Sequence, residues 1–308
     1  MNNVIELLKK EFNTTAVESV PMSKHTSFKT GGNARLGIFP KSVEEFVSAM
    51  RIIGDAKHCV LGNGSNVIFP DDGYDGIVVF TGNMKKTEIS DGCTITAECG
   101  AGITALSSLA LKNSLSGLEF AYGIPGTVGG AVFMNAGAYD GEISQILESS
   151  MYLSPDGTIG VMSAEEHEFA YRHSIYCDCD KIILSCKLKL EKGDPSEIKA
   201  KMNENMAKRI DKQPLDYPSA GSVFKRPPNA FAGKLISDCG LKGYSIGGAR
   251  VSEKHAGFII NRGNATAADV IALVHCVQDA VESVYHYRLE CEIRLISDGL
   301  DPANEPSW

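Results

Sequence analysis

No run of apolar residues in this 308-residue chain approaches the roughly 18 that a membrane-spanning helix needs, so a spanning segment is not expected. The N-terminal stretch also lacks the features of a signal peptide. Val4, Ile5, Leu7 and Leu8 are interspersed with Glu6, Lys9 and Lys10, the pattern of an amphipathic helix. Cysteine is present without order: nine thiols, an odd number at irregular spacing and with no leader, read as reduced residues of a cytoplasmic protein. Cys177-Asp178-Cys179 has no second pair to complete a tetrahedral site, and no metal is expected there. Basic residues are outnumbered by acidic ones, 30 to 38, and a net charge of −8 argues against nucleic acid as a partner. Internal repeats and low-complexity tracts are missing too. What is present, 43% apolar and 22% charged residues, is ordinary for a globular chain whose length predicts two or three units with clefts between them.

The charge is unevenly spread. From Lys225 to Arg262, seven basic residues stand against Asp238 and Glu253, a local +5 on an otherwise acidic body. Such a patch is either a solvated charged face or a pocket for a small polyanion. Along the chain, a polar loop leads from the first helix to Gly32 and an apolar strand follows to Phe39. Ser42 with Glu45 is a capping box that opens a helix to about Ile53. Short strands at His58–Leu61, 66–69 and Ile77–Phe80 complete a first unit, 1–84. The second, 85–193, opens on a hairpin turning at Asp91-Gly92, continues through a helix near 104–112, and closes on strands near 146–153, 158–161 and 182–190. Gly193-Asp194-Pro195 marks the best boundary, since Asp194 caps and Pro195 begins a helix to about Ile210. The third unit, 194–308, holds a helix ending at Gly240, strands near 245–251 and 257–261, a helix from Thr266 to about Tyr285, and a strand from Leu289 to Leu295. The irregular alternation of elements implies α+β units.

Two glycine loops carry the strongest local signal. Gly62, Asn63, Gly64, Ser65 and Asn66 lie between strands, where glycines let successive N–H groups turn toward one anion and the Ser and Asn side chains add donors. A third glycine and a following helix are lacking, which disfavours a Rossmann site, and the loop alone serves equally as a plain strand connection. The second loop contains Gly123, Pro125, Gly126, Thr127 and Gly130. So many glycines are costly unless close backbone approach or a special φ is required, and Thr127 could open a helix whose N–H groups face a phosphate. Together the loops suit an extended dinucleotide, although the second could also be a tight structural turn.

Taken in order, Thr26-Ser27-Phe28-Lys29-Thr30-Gly31-Gly32, Leu61 to Asn66, Gly123 to Ala131 and Asn135-Ala136-Gly137-Ala138-Tyr139 resemble the FAD-binding motifs of the UDP-N-acetylenolpyruvoylglucosamine reductases. Tyr171-Arg172-His173-Ser174, Gly221-Ser222-Val223-Phe224, Gly240-Leu241-Lys242-Gly243 and Glu290-Cys291-Glu292-Ile293-Arg294 are similar to the family's later motifs, so the resemblance spans nearly the whole chain. It implies a two-subdomain FAD-binding module of the vanillyl-alcohol-oxidase (PCMH) type and a C-terminal α+β substrate-binding domain. The short interval from Arg172 to Ser222 resembles the form that lacks an extra substrate-covering insertion.

The implied reaction uses NADPH and FAD to reduce the enolpyruvyl ether of UDP-N-acetylglucosamine to UDP-N-acetylmuramate, a peptidoglycan precursor. Hydride arriving at the terminal alkene carbon leaves negative charge beside a carboxylate, so the site must supply positive charge or protons there and then protonate the neighbouring carbon from one side. By resemblance, Arg172 and Glu292 polarise that carboxylate or its enolate-like intermediate and Ser222 gives the proton. Read alone, Arg172 is a surface or salt-bridge residue and Ser222 a turn residue. Glu292, between Cys291 and Ile293 on an apolar strand, is harder to dismiss. Lys225, Arg226, Lys242 and His255 are the candidates for the substrate diphosphate, with Arg226 and His255 departing from the asparagine and glutamine of some relatives. Many oxidases of this fold tether flavin through histidine. Neither glycine loop contains one, which points to noncovalent FAD. The alternatives are a hydroxy-acid or alcohol oxidase of the same fold and a non-catalytic nucleotide-sugar binding protein; no obligate protein partner is inferred.

Overall fold

The computed structural model describes residues 1–296, so 297–308, which end the third expected unit, lie outside the described residues. Two interleaved compact units emerge. Met1–Glu18, Leu36–Asn63 and Gly76–Arg209 form the first, and Ser19–Arg35, Gly64–Asp75 and the chain from Ile210 form the second.

In the first unit, the apolar spacing near the N-terminus yields helix α1 (Asn2–Glu11), which buries Ile5 and Leu8. Helix α2 (Val43–Ile53) packs on α1 and buries a face that includes Phe46, Met50 and Ile53. Its start is the expected one: Ser42 Oγ accepts from Glu45 N at 3.2 Å. The reciprocal bond falls one residue early, because the Glu45 carboxylate accepts from Lys41 N at 2.8 Å. A five-stranded sheet runs in the order Ile159–Ser163, Leu147–Leu153, Ile182–Lys189, Thr94–Glu98, Thr87–Ser90, each pair antiparallel. The hairpin that opens it turns where the sequence places the turn. Asp91 and Gly92 both have positive φ, 50° and 68°, as a type I′ turn demands, and Cys93 N closes it on Ser90 O. Helices α3 (Ile103–Lys112), α4 (Val128–Phe133) and α5 (Pro195–Lys212) complete this unit's helical set. One apolar core includes Phe46, Ile95, Leu106, Val128, Tyr176 and Leu188.

A four-stranded sheet has the order Ala16–Pro21, Asn33–Ile38, Tyr74–Phe80, His58–Leu61, with its last pair parallel. Its first strand corrects the expected polar loop. Ala16–Pro21 is an edge strand with one buried residue, Val20, so it leaves no apolar alternation to read and is specified by its pairing.

The second unit is built on an antiparallel three-stranded sheet, Ser245–Ile246, Ala249–Val251 and Ile259–Asn261. Helices α6 (Ala232–Asp238) and α7 (Ala267–Tyr285) pack on each other, and α7 covers the sheet. The α7 stripe Val270, Leu273, Val274, Val277 and Val281 is buried at helical spacing. Each such side chain contributes about 1.5 to 3 kcal/mol against leaving it in water. Thr266 and Asp269 form a full capping box. Asp71 adds a second cap, its carboxylate accepting from Ala267 N at 2.8 Å and Ala268 N at 2.9 Å. Two expected strands differ. The stretch 245–251 is a hairpin broken at Gly247, whose φ is 52°. Leu289–Leu295 reduces to Arg294–Leu295, parallel to Val67–Ile68, and an isolated bridge between Cys291 and Phe224.

Candidate functional site

Within the first unit, the two glycine loops touch. A Cβ on Gly62 would stand 2.5 Å from Thr127 Oγ1, so glycine is what lets the chain pass there. Asn63 Nδ2 donates to Pro125 O at 3.0 Å and ties the loops together. Thr127 caps α4, its Oγ1 accepting from Gly130 N. The sequence suggested that this helix's first N–H groups face a phosphate, but they are already engaged. Val128 N donates to Ala101 O, Gly129 N to Cys99 O and Gly130 N to Thr127. Gly123, at φ 91°, is fixed by its N–H donating to Thr104 Oγ1. The donors left over are elsewhere: among the described residues, the backbone N–H groups of Gly62, Asn63, Gly126 and Thr127 make no hydrogen bond.

The rest of the first loop belongs to the second unit. Gly64, at φ 59°, lies so close to His25 O that a Cβ would meet it at 2.2 Å, and its own carbonyl accepts from Ser27 N. The N–H groups of Gly64, Ser65 and Asn66 also make no hydrogen bond among the described residues. Asn66 spends its side chain on structure, since Nδ2 donates to Glu292 O at 3.0 Å. Thr30 Oγ1, in the neighbouring motif, is buried without a partner among the described residues.

Arg172 sits in the first unit on a four-residue turn closed by Ala170 and His173, with φ at 56°. Its Nη2 donates to Gly137 O at 3.0 Å, and its guanidinium carbon lies 4.9 Å from the Tyr171 ring centroid. Ser222 and Glu292 belong to the second unit. Gly221, at φ 78°, turns the chain just before Ser222. Phe224 bridges Cys291, Glu292 N donates to Val223 O at 2.7 Å and Lys225 N to Glu290 O at 2.9 Å, so the serine and glutamate segments run side by side. The Ser222 hydroxyl makes no hydrogen bond among the described residues. Glu292 is half-buried in a bend rather than inside an apolar strand, because only Arg294 and Leu295 continue into a ladder.

The basic stretch is partly neutralised. Lys234 pairs with Asp238 and Arg250 with Glu253, while Arg226 lies over the Phe231 ring at 4.8 Å. Lys225 Nζ is 3.6 Å from Glu290. Lys242 is exposed and makes no ion pair among the described residues. The basicity of His255 is lowered mainly by burial, and the charges of Lys242 and Lys212 lower it further. His255 Nδ1 accepts from Gly257 N, and Gly257 O accepts from Val223 N, which brings His255 to the Ser222 segment. No group of three His, Cys, Asp or Glu side chains able to hold a metal occurs among the described residues.

Sequence reasoning missed Arg209. It is 8% exposed on α5, with Nη1 donating to Gly123 O at 2.9 Å and Nε buried without a partner among the described residues. Burial lowers its proton affinity and the neighbouring Tyr139 raises it, yet a guanidinium stays charged. A buried cation that pairs with no carboxylate among the described residues, beside a glycine loop, suits an anionic ligand. The signal was legible: Ile198, Met202, Asn205 and Arg209 follow helical spacing, so two polar residues occupy a buried stripe.

Residues 34–163 match the family model of an FAD binding domain, and residues 213–296 match the C-terminal domain of UDP-N-acetylenolpyruvoylglucosamine reductase. A relative from Bacillus cereus named UDP-N-acetylenolpyruvoylglucosamine reductase 2 is 48% identical over 90% of this chain and 91% of its own length. One from Caldanaerobacter subterraneus, a UDP-N-acetylenolpyruvoylglucosamine reductase, is 46% identical over 90% and 92%. The crystal structure of the reductase from Thermus caldophilus superposes with a TM-score of 0.79 at 34% identity, covering 91% of this chain and 97% of that one.

Proposed function

The chain belongs to the UDP-N-acetylenolpyruvoylglucosamine reductase family, and from that premise we propose that Arg172, Ser222 and Glu292 carry the reduction of the enolpyruvyl ether of UDP-N-acetylglucosamine to UDP-N-acetylmuramate. FAD, when bound, supplies the hydride chemistry, with electrons from NADPH. The residues present fit it: the loop from Gly62 to Asn66 offers five consecutive unengaged N–H donors, and the close approach of Gly62 to Thr127 requires a residue without a side chain. Gly62, Asn63, Gly64, Ser65, Gly126 and Thr127 would hold the diphosphate. Gly123, Pro125, Gly130 and Asn66 shape the loops around it. Arg209 adds a buried positive charge that the loops themselves lack.

Arg172 and Glu292 act on the substrate carboxylate. The guanidinium, held by Gly137 O and Tyr171, offsets charge that builds next to an already ionised carboxylate. Ser222 donates the proton to the carbon bearing that carboxylate, so that one carbon gains hydride and its neighbour gains H⁺. The observation that carries this reading is the bond from Glu292 N to Val223 O, which aligns the two segments bearing the proposed acid and the proposed carboxylate. Lys225, Arg226, Lys242 and His255 are assigned to the UDP diphosphate. In these roles 1–84 and 85–193 serve chiefly the cofactor, with Arg172 reaching the substrate, and 194–308 chiefly the substrate, with Arg209 reaching the cofactor; the matches over 34–163 and 213–296 support that division. No described helix is long and apolar enough to cross a membrane, and we assign the enzyme to the cytoplasm with the UDP-sugar and NADPH as its partners.

Anaerobic stopped-flow tests the acid. Flavin reduction by NADPH needs no proton from Ser222, so Ser222→Ala leaves it nearly intact, while reoxidation by the enolpyruvyl substrate slows on the order of 10²-fold or more. Reoxidation at the wild-type rate would remove Ser222 from the mechanism.

A further inference from the structure

Asn135 is 1% exposed and adopts φ 41°, a left-handed conformation that asparagine tolerates better than most residues. Both ends of its amide are used. Nδ2 donates to Ala170 O at 3.1 Å, and Oδ1 accepts from Ser144 N at 3.0 Å. Ala170 is the first residue of the turn that carries Arg172, and its carbonyl also accepts from His173 N at 3.2 Å. The same short segment holds the far end of the arginine, because Gly137, two residues after Asn135, provides the carbonyl that receives Arg172 Nη2. Ser174 Oγ is fastened at 2.8 Å to Phe133 O, just ahead of the asparagine. The base of the turn and the tip of the guanidinium are thus referenced to one stretch of backbone. Arg172 itself is in the left-handed region at φ 56°, which costs a non-glycine residue about 1 kcal/mol or more unless its surroundings over-determine it.

We propose that Asn135 is a positioning residue for the reduction. It fixes the left-handed turn from which Arg172 reaches the substrate carboxylate. This rests on the reading of Arg172 as catalytic. Asn135→Asp is the selective perturbation: it keeps the shape and the acceptor for Ser144 N, and replaces the donor to Ala170 O with a carboxylate oxygen. Asn135→Ala removes both bonds.

The test is a double-mutant cycle on the FAD-loaded full chain, with Asn135→Asp, Arg172→Ala and the double variant followed in each half-reaction by anaerobic stopped-flow. A displacement of about 1 Å of a catalytic group can cost on the order of 10²-fold, so a loosened turn is expected to slow the limiting rate of flavin reoxidation by about tenfold or more. The half-saturating UDP-sugar concentration should move by less than about threefold, as for loss of an interaction that matters only in the transition state. Because Asn135 lies in a stretch that resembles a cofactor motif, rates are compared at equal bound flavin, where reduction by NADPH should stay within about twofold of wild type. Added to Arg172→Ala, the second substitution should cost less than about twofold, because it acts through a side chain no longer there. Multiplying effects, an Asn135→Asp rate equal to wild type, or equal losses in both half-reactions with falling flavin content would each overturn the inference. Asn135→Ala repeats the cycle if the aspartate variant does not fold. Wild-type reoxidation by Arg172→Ala alone would instead refute the role of the arginine.

Discussion

Gly62→Ala is the most direct test of why the first glycine loop needs glycine. Its φ is not in the left-handed region, so alanine brings no backbone strain and the effect is purely one of space. The added methyl would lie 2.5 Å from Thr127 Oγ1, 3.1 Å from its Cγ2 and 3.4 Å from its Cβ, against a side chain that is 2% exposed. Rotation does not relieve this, because both branches of the threonine are close. Overpacking of this kind costs about 1 to 3 kcal/mol. If the threonine shifts, the cap on Gly130 N is lost as well, which costs about 0.5 to 2 kcal/mol more. Where the loop yields instead, the unengaged N–H groups of Gly62 and Asn63 turn away, and the cost falls on cofactor affinity. Titrating the apo-protein with FAD and following flavin fluorescence should therefore give a dissociation constant raised by roughly 5- to 150-fold, or, with affinity kept, a melting temperature lowered by several degrees. Adding Thr127→Ser removes Cγ2, frees χ1 and leaves an oxygen for the cap, so the double variant should recover part of the loss. Unchanged affinity and unchanged melting in Gly62→Ala would refute the claim that the loops must approach this closely.

Two further outcomes can be measured. Lys242→Ala is expected to weaken substrate binding about tenfold or more with flavin content unchanged, the value of a charge-assisted hydrogen bond of roughly 1.5 to 3 kcal/mol; unaltered affinity for the UDP-sugar in calorimetry would take Lys242 out of the site. Asp269 accepts from Thr266 N and Gly248 N, which hold its carboxyl below the usual range, so its contribution to stability is complete above the unfolded-state pKa and lost as pH falls through the lower folded one. Asp269→Asn should flatten that acid limb of the melting profile, and an identical limb in the variant would show that another group sets it.

Much of this fold was legible because its elements are specified locally. The stripes of α2 and α7 follow from apolar spacing with a capping residue in front, and Asp91-Gly92 turns the chain because both positions need positive φ. Elements that failed to read depend on partners distant in sequence. The edge strand Ala16–Pro21 has one buried residue, and the path from Leu289 to Ile293 is held by Val223 O and Gln278 Nε2, which no local pattern announces. Gly248 shows the same limit within a hairpin, since a Cβ there would meet Ala265 N at 2.4 Å, a constraint set 17 residues away.

The proposed catalytic residues divide along the same line, and backbone conformation explains how. Ser222 follows a left-handed turn that the chain makes at Gly221, where φ 78° costs a glycine little and nothing crowds the missing Cβ. The requirement is written at the position itself, and a glycine before a serine can be seen in the sequence. Arg172 meets a similar demand at φ 56° with a full side chain, so the compensation has to come from elsewhere. It comes from the bridge between Ala170 and His173, from Gly137 O on the guanidinium and from the buried amide of Asn135. A strained residue supported by groups some 35 positions earlier carries no local mark. For the same reason the proposed function of Arg172 should be sensitive to substitutions that never touch substrate, and that of the proposed acid Ser222 mainly to changes at its own glycine.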